Sequence, residues 1–335
     1  MPKLRTTRNF YAFSIFSREE VGKKAVDDIL MKITKHLFVK KYNPRRLKEG
    51  RPTKGWYGVN EEDDINEMPL VGKYELSLAT FSHTYRFALF RFIEDIEKEF
   101  FSKLPTVARE KILKLIKENP QTYAPLFYDH KYMDVLFLLK IESSHALKHN
   151  GFVIFSGKRI DEEILDDIRG ALQREGLHIN LITFSSDFLF WLFARKGSKI
   201  KDLILKDCNF LERIQPLTRS EIHRSRGVIS ESLEVISSLA EGKEVTSIEI
   251  LVELRGEDIK IKLQTDGVFY VNMFARDEFK EEPPLIKRIF SISDAVTYIL
   301  PTLMDAYIRE KPQWDREKKE FTKNMMEELR RRLGV

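Results

Sequence analysis

The sequence predicts an α+β protein of two domains. Its N-terminal half reads as mainly helical. Its C-terminal half reads as a small βαβ-type layer, a three-stranded antiparallel meander and closing helices. Three observations lead there. A chain of 335 residues exceeds the roughly 250 residues over which a single core keeps growing. Apolar positions fall at helical spacing through much of the first 149 residues, and residues 247–274 alternate as strands do. The predicted domains are 1–150, carrying a basic loop at 40–58, and 151–335, carrying the meander and the last helices.

In chain order, Asn9 to Phe16 is aromatic and β-prone and predicts a strand. Ser17 and Glu20 have the spacing of a capping box, and a helix follows to about Phe38. Its stripe is Val21, Ala25, Ile29, Ile33 and Leu37. Beyond the basic loop, an acidic run at Glu61–Asp64 precedes a strand over Lys73 to Thr80. Helices are predicted over 84–101, 106–118 and 129–149, the middle one ending before Pro120. From 151 to 206 the pattern alternates. Strands at 152–155, 178–184 and 200–206 enclose helices at 161–175 and 187–195, which gives the βαβ-type layer.

In the meander, Ile248, Ile250, Val252 and Leu254, then Ile259, Ile261 and Leu263, alternate with polar positions. Arg255-Gly256 and Asp266-Gly267 supply the turns. Two helices close the chain, Ser293 to Arg309 with a kink expected near Pro301, and Asp315 to Leu333. The latter is polar except for a seam of Phe321, Met325, Leu329 and Leu333.

The 42% hydrophobic and 11% aromatic composition is that of a folded globular protein. Neither the N-terminus nor any apolar run has the pattern of a signal peptide or the roughly 20 apolar residues of a spanning helix. A soluble, cytoplasmic protein with no membrane partner is therefore expected. The single cysteine, Cys208, excludes an intrachain disulfide and a cysteine-based zinc cluster. A charged fraction of 33% with only five glutamines matches proteins of heat-adapted organisms.

No phosphate-binding loop, dinucleotide fingerprint, hydrolase elbow or zinc-protease motif occurs, and no cofactor is predicted. His145 and His149 lie one helical turn apart, but two imidazoles do not make a metal site. In the meander, Glu249, Glu253, Asp258 and Lys260 have the residue types of a metal-dependent nuclease. They equally suit cross-strand ion pairs. Cys208 lacks an adjacent base and reads as a small buried residue.

Charge supplies the main functional signal. Residues 40–54 hold seven basic side chains against Glu49, a net +6, and residues 195–226 hold nine against four, a net +5. The whole chain is only +5, so everything else sums to −6. Segregated positive charge suits a polyanion, because each neutralised phosphate releases counterions. The sequence therefore predicts sequence-tolerant binding of DNA or RNA, as an accessory subunit of a nucleic-acid-processing complex. Lys40, Lys41, Arg45, Arg46, Arg51 and Lys54 would hold the backbone, and Trp56 and Tyr57, with Tyr42 nearby, would stack on bases. Glycines 50, 55 and 58 would let the nucleic acid approach closely. Arg219, His223, Arg224 and Arg226 would extend the track. The competing readings are a solvated loop neutralised by Glu61–Asp64, the nuclease on the meander, and a non-catalytic assembly subunit that pairs with a partner protein through its last helix.

Overall fold

The computed structural model describes residues 9–17, 26–43, 53–78, 81–143, 150–157, 159–210, 244–272 and 281–334. The chain divides into two compact units, Phe13–Asn180 and Leu181–Val335, the second also including Arg8–Ala12. The proposed capping box, which needs Glu20, lies outside the described residues, as do His145 and His149.

The first unit is built on a sheet, which corrects the expectation of a mainly helical N-terminal half. Its strands are the part of β1 (Asn9–Ser17) from Phe13 onward, β2 (Lys54–Val59), β3 (Ile65–Asn66), β4 (Leu70–Leu78), β5 (Phe81–Glu97), β6 (Tyr128–Ser143), β7 (Gly151–Ser156) and β8 (Leu177–Leu181). They run in the order β3-β2-β5-β6-β7-β1, with β4 also on β5 and β8 on β1. The predicted helices 84–101 and 129–149 are in fact mostly strands β5 and β6, which pair antiparallel from His83↔Ser143 to Glu97↔Tyr128. The reason is burial on both faces. From Phe87 to Ile93 every residue of β5 is buried, so the period of two disappears and only an apolar run remains. The run is rich in aromatics, which favour strands.

Helix α1 (Val26–Leu37) buries Ile29, Leu30, Ile33 and Leu37. Three helices, α2 (Glu99–Ser102), α3 (Thr106–Glu118) and α4 (Pro120–Phe127), fill the connection from β5 to β6. Phe101, Ile116, Ala124 and Tyr128 form a small core there. Asn119 caps α4 by accepting from the Thr122 N–H, and Pro120 sits in the first turn, where its missing donor costs nothing. Helix α5 (Glu162–Gln173) is capped by Asp161 and buries Ile164, Leu165, Ile168, Ala171 and Leu172.

The βαβ-type layer is also corrected. β7 pairs antiparallel with β6, β8 lies on β1, and the strand after the next helix belongs to the second unit. The helices between them are therefore not crossovers joining neighbouring parallel strands.

In the second unit α6 (Ser186–Ala194), β9 (Lys199–Ile200) and β10 (Leu203–Phe210) precede the meander strands β11 (Ser247–Leu254), β12 (Glu257–Gln264) and β13 (Val268–Val271). β10 pairs antiparallel with β11, and β13 pairs antiparallel with residues 9–11 of β1. Thus the meander is part of a wider sheet. Its inward residues, from Ile248 to Leu263, are almost fully buried.

Helix α7 (Pro284–Asp294) passes through a π turn, Ala295–Ile299, into α8 (Leu300–Leu333). Pro301 falls in the first turn of α8, and the π turn just before it takes up the break expected there. Where the sequence suggests a gap at 310–314, α8 instead runs unbroken through Pro312, which by itself costs a helix about 3 kcal/mol. Tertiary contacts from α6 straddle that proline. Arg195 bonds Glu310 and Glu317, both at 2.8 Å, and Asp187 accepts from Tyr307, Lys311 and Lys318 at 2.6–2.9 Å. Trp314 is buried against Phe190.

Burial alone would raise the Asp187 carboxyl, but the bonds from Lys318, Tyr307 and Lys311 hold it well below the usual carboxylate range. A depressed carboxylate contributes stability that is present above its unfolded pKa and is lost as pH falls through the folded one. Acidification below about pH 4 is therefore expected to destabilise the second unit, and Asp187→Asn to flatten that part of the pH dependence. Chemical unfolding monitored from pH 7 to pH 3 measures both. An unchanged slope in the variant would remove Asp187 as a cause.

Candidate polyanion site at the basic segment

Residues 40–43 and 53–58 form the described part of the basic segment. The main chain of Lys41 and Tyr42 runs beside β2. Lys41 bridges Trp56 in parallel sense, and the Tyr42 N–H donates to the Trp56 carbonyl at 2.9 Å. Glycine is required at the crossing. A Cβ on Gly55 would lie 2.3 Å from the Lys40 carbonyl oxygen and 2.6 Å from the Tyr42 nitrogen, and one on Gly58 would lie 1.8 Å from the Met68 carbonyl oxygen. Both glycines thus admit the protein's own backbone, which replaces the expected role in approach to a ligand.

The aromatic side chains are likewise spoken for. Trp56 is fully buried, its indole N–H donating to Asp167 of α5 at 3.0 Å and its ring edge-on to Phe92. Tyr57 is buried with Tyr42 and Ile93. Neither presents a face on which an unpaired base stacks, so the predicted stacking pair is a structural anchor.

The lysines divide by partner. Lys40 Nζ lies 2.6 Å from Asp167, and Lys54 bonds Glu163. The bond to Glu163 raises the Lys54 pKa, keeping it charged and occupied. Lys41 is different. Among the described residues its ion-pair partner is the exposed Glu67, 4.0 Å away, and its ammonium lies 5.7 Å from the Tyr57 ring centre. Lys40, Lys41, Asn43, Thr53, Lys54, Gly55, Phe92 and Glu163 line a pocket of about 370 Å³. Three lysines there face one carboxylate.

The residues between the two pocket-lining stretches, 44–52, carry Arg45, Arg46, Lys48 and Arg51 against Glu49, a net +3. They lie outside the described residues, as do Arg219, His223, Arg224 and Arg226. The acidic run expected to neutralise the loop has a separate engagement at Asp63, which bonds the buried Arg91 at 2.8 Å.

The nuclease candidates on the meander are engaged as ion pairs. Glu253 and Asp258 face each other across β11 and β12, and Lys206 of β10 bonds both, at 2.5 and 2.7 Å. Lys260 bonds Glu249 at 3.0 Å. Among the described residues no group of three or more histidine, cysteine, aspartate or glutamate side chains is arranged to hold a metal ion. Cys208 is buried, donates to the Leu192 carbonyl at 3.3 Å, and has its thiol pushed by burial up to about 12. It is unreactive at neutral pH. Of the seam on the last helix, Phe321 packs against Phe190, Phe193 and Trp314 of its own unit. Among the described residues no helix is long and apolar enough to cross a membrane.

One further cluster has no signal in the sequence. Asp95, its side chain fully buried, accepts from the Tyr42 hydroxyl at 2.9 Å and the Thr53 N–H at 2.9 Å, and its Oδ1 lies 2.8 Å from His130 Nδ1. Burial and Asp95 together raise the Tyr42 phenol far above its usual value, so it stays a donor. Asp95 and His130 are directly paired across β5 and β6, a proximity hidden as long as both stretches read as helices.

No known protein-family model matches the chain, and no curated protein proves similar to it.

Proposed function

We propose that the protein binds nucleic acid through its phosphates, without base stacking, using the basic segment rooted at the Lys41 pocket. The observation that carries the reading is the concentration of positive charge at one place. A pocket where Lys41 stands beside the ion-paired Lys40 and Lys54 borders a nine-residue stretch of net +3, in a chain whose remaining residues, apart from the two basic segments, sum to −6. Phosphate contacts carry no sequence information, so binding is sequence-tolerant. All three tryptophans are buried, so association leaves tryptophan emission nearly unquenched.

The cations fall into two classes by this account. Lys40 and Lys54 already neutralise Asp167 and Glu163, whereas Lys41, Arg45, Arg46 and Arg51 are the ones offered to phosphate. Arg219, Arg224 and Arg226, which lie outside the described residues, are proposed as phosphate contacts of their own. Replacing Arg45, Arg46 and Arg51 together by Glu is expected to weaken duplex binding and to flatten the plot of log affinity against log salt by about 3. Lys40→Ala and Lys54→Ala are expected to leave that slope within about 0.5 of the parent. Fluorescence anisotropy over a salt series makes the comparison. If the triple variant keeps the parent's affinity and slope, this segment is not the site.

A further inference from the structure

We propose that His130, oriented by the buried Asp95, is a general base for metal-independent cleavage of bound RNA. The inference rests on the nucleic-acid reading above and adds a reaction to it. A carboxylate only accepts hydrogen bonds. The His130 Nδ1 at 2.8 Å from Asp95 therefore donates to it, and in the neutral imidazole this leaves Nε2 as the accepting nitrogen. Asp95 is held in turn by the Tyr42 hydroxyl and the Thr53 N–H. It thus has three donors and no freedom to rotate away. The carboxylate is sealed from solvent while the imidazole is one-quarter exposed, so the ring and not the acid is open to a substrate. A fixed acid behind and a partly open imidazole in front is the arrangement that general-base histidines use.

Location supplies the substrate class. Tyr42 and Thr53 belong to the two stretches that flank the basic segment, and both are tied to the same carboxylate that orients His130. Lys41, next to Tyr42, stands over the ring of Tyr57 in the aromatic cluster that Tyr42 and Tyr132 share. The His130 ring centre is 5.9 Å from that of Tyr132. Lys41 and His130 thus border one aromatic cluster of Tyr42, Tyr57 and Tyr132, and a backbone held at Lys41 that follows this cluster reaches the histidine.

RNA carries its own nucleophile. His130 Nε2 takes the proton of a ribose 2′-hydroxyl as the 2′-oxygen bonds to the adjacent phosphorus. The P–O5′ bond breaks with its electron pair on the 5′-oxygen, which takes a proton from water. The hydroxide left behind recovers the proton from the imidazolium. The products are a 2′,3′-cyclic phosphate and a 5′-hydroxyl, and no metal or redox partner enters the balance.

The test uses the full chain with end-labelled single-stranded RNA and DNA of one sequence, in EDTA, with binding followed in parallel by anisotropy. The expected result is that both are bound and only RNA is cut, leaving cyclic-phosphate ends. His130→Gln, checked for an unchanged unfolding midpoint, is expected to lower the cleavage rate roughly 100-fold or more while binding is kept. RNA that is bound but intact overturns this inference and leaves the binding reading standing. Cleavage that persists in His130→Gln, or products without cyclic ends, overturns it equally. Failure of both nucleic acids to bind overturns the binding reading and this inference with it.

Discussion

Replacing Arg91 by Ala is expected to lower the stability of the first unit by about 3–5 kcal/mol, the cost of leaving a buried charge without its partner. Arg91 stands in the middle of β5 with its side chain 1% exposed. Its Nε lies 2.6 Å from Asp134 of β6, directly opposite in register. Its Nη2 donates both to Asp134, at 3.2 Å, and to the Asp63 carboxylate, at 2.8 Å. Burial pulls the guanidinium pKa down, yet Asp134 and Asp63 together outweigh it and hold the group above its ordinary value. Removal of the cation takes from the Asp134 carboxylate, which is only 12% exposed, the guanidinium it faces. Arg91→Lys keeps the charge but loses the planar fork that serves two carboxylates, and should fall between the two. Urea unfolding of the three proteins measures the order. A loss below 1 kcal/mol for Arg91→Ala would mean that the network is not held by its arginine.

The second large effect is expected from a single methyl group. Gly55→Ala places a Cβ within 2.3–2.8 Å of the backbone of Lys40, Lys41 and Tyr42, and backbone cannot swing aside as a flexible side chain does. Overpacking of this kind costs about 1–3 kcal/mol, occasionally more. Here the displaced stretch is also the one that delivers Tyr42 to Asp95. The variant should therefore lose stability and, through the Lys41 pocket, affinity for nucleic acid. Unfolding and anisotropy of one preparation give both readings. Full stability in Gly55→Ala would show that the Lys40–Tyr42 stretch yields freely.

What the sequence discloses and what it hides follow from the same physics. The meander strands are legible because one face carries Glu249, Glu253, Lys260 and Lys262 while the other carries Ile248, Ile250, Ile259 and Ile261. That alternation is the mark of a sheet with one dry face. β5 and β6 are illegible because both their faces are dry. Their aromatic content, Tyr85, Phe87, Phe90 and Phe92 on β5, was the available clue against a helix. Helices α3, α5 and α6 show in the sequence through their spacing and their flanking residues.

At the site, the concentration of cations is legible, but their availability is not. Trp56 finds its acceptor 111 residues away in Asp167, and Lys54 finds Glu163 at a separation of 109. Only folding brings such partners together. Asp95 and His130 are hidden for a related reason, since their contact depends on a strand register that local pattern does not specify.

In the proposed mode, cations of the basic segment, and not its buried aromatics, hold nucleic acid. The most direct measurement is anisotropy of the unmodified protein with short duplex DNA and with single-stranded DNA and RNA across a salt series, with tryptophan emission recorded in the same cuvette. The expected result is binding whose log affinity falls with log salt at a slope of about −3.6 or steeper on duplex, from four or more phosphate contacts, with tryptophan emission nearly constant. Absence of binding at low salt, or binding insensitive to salt and accompanied by strong tryptophan quenching, would contradict it.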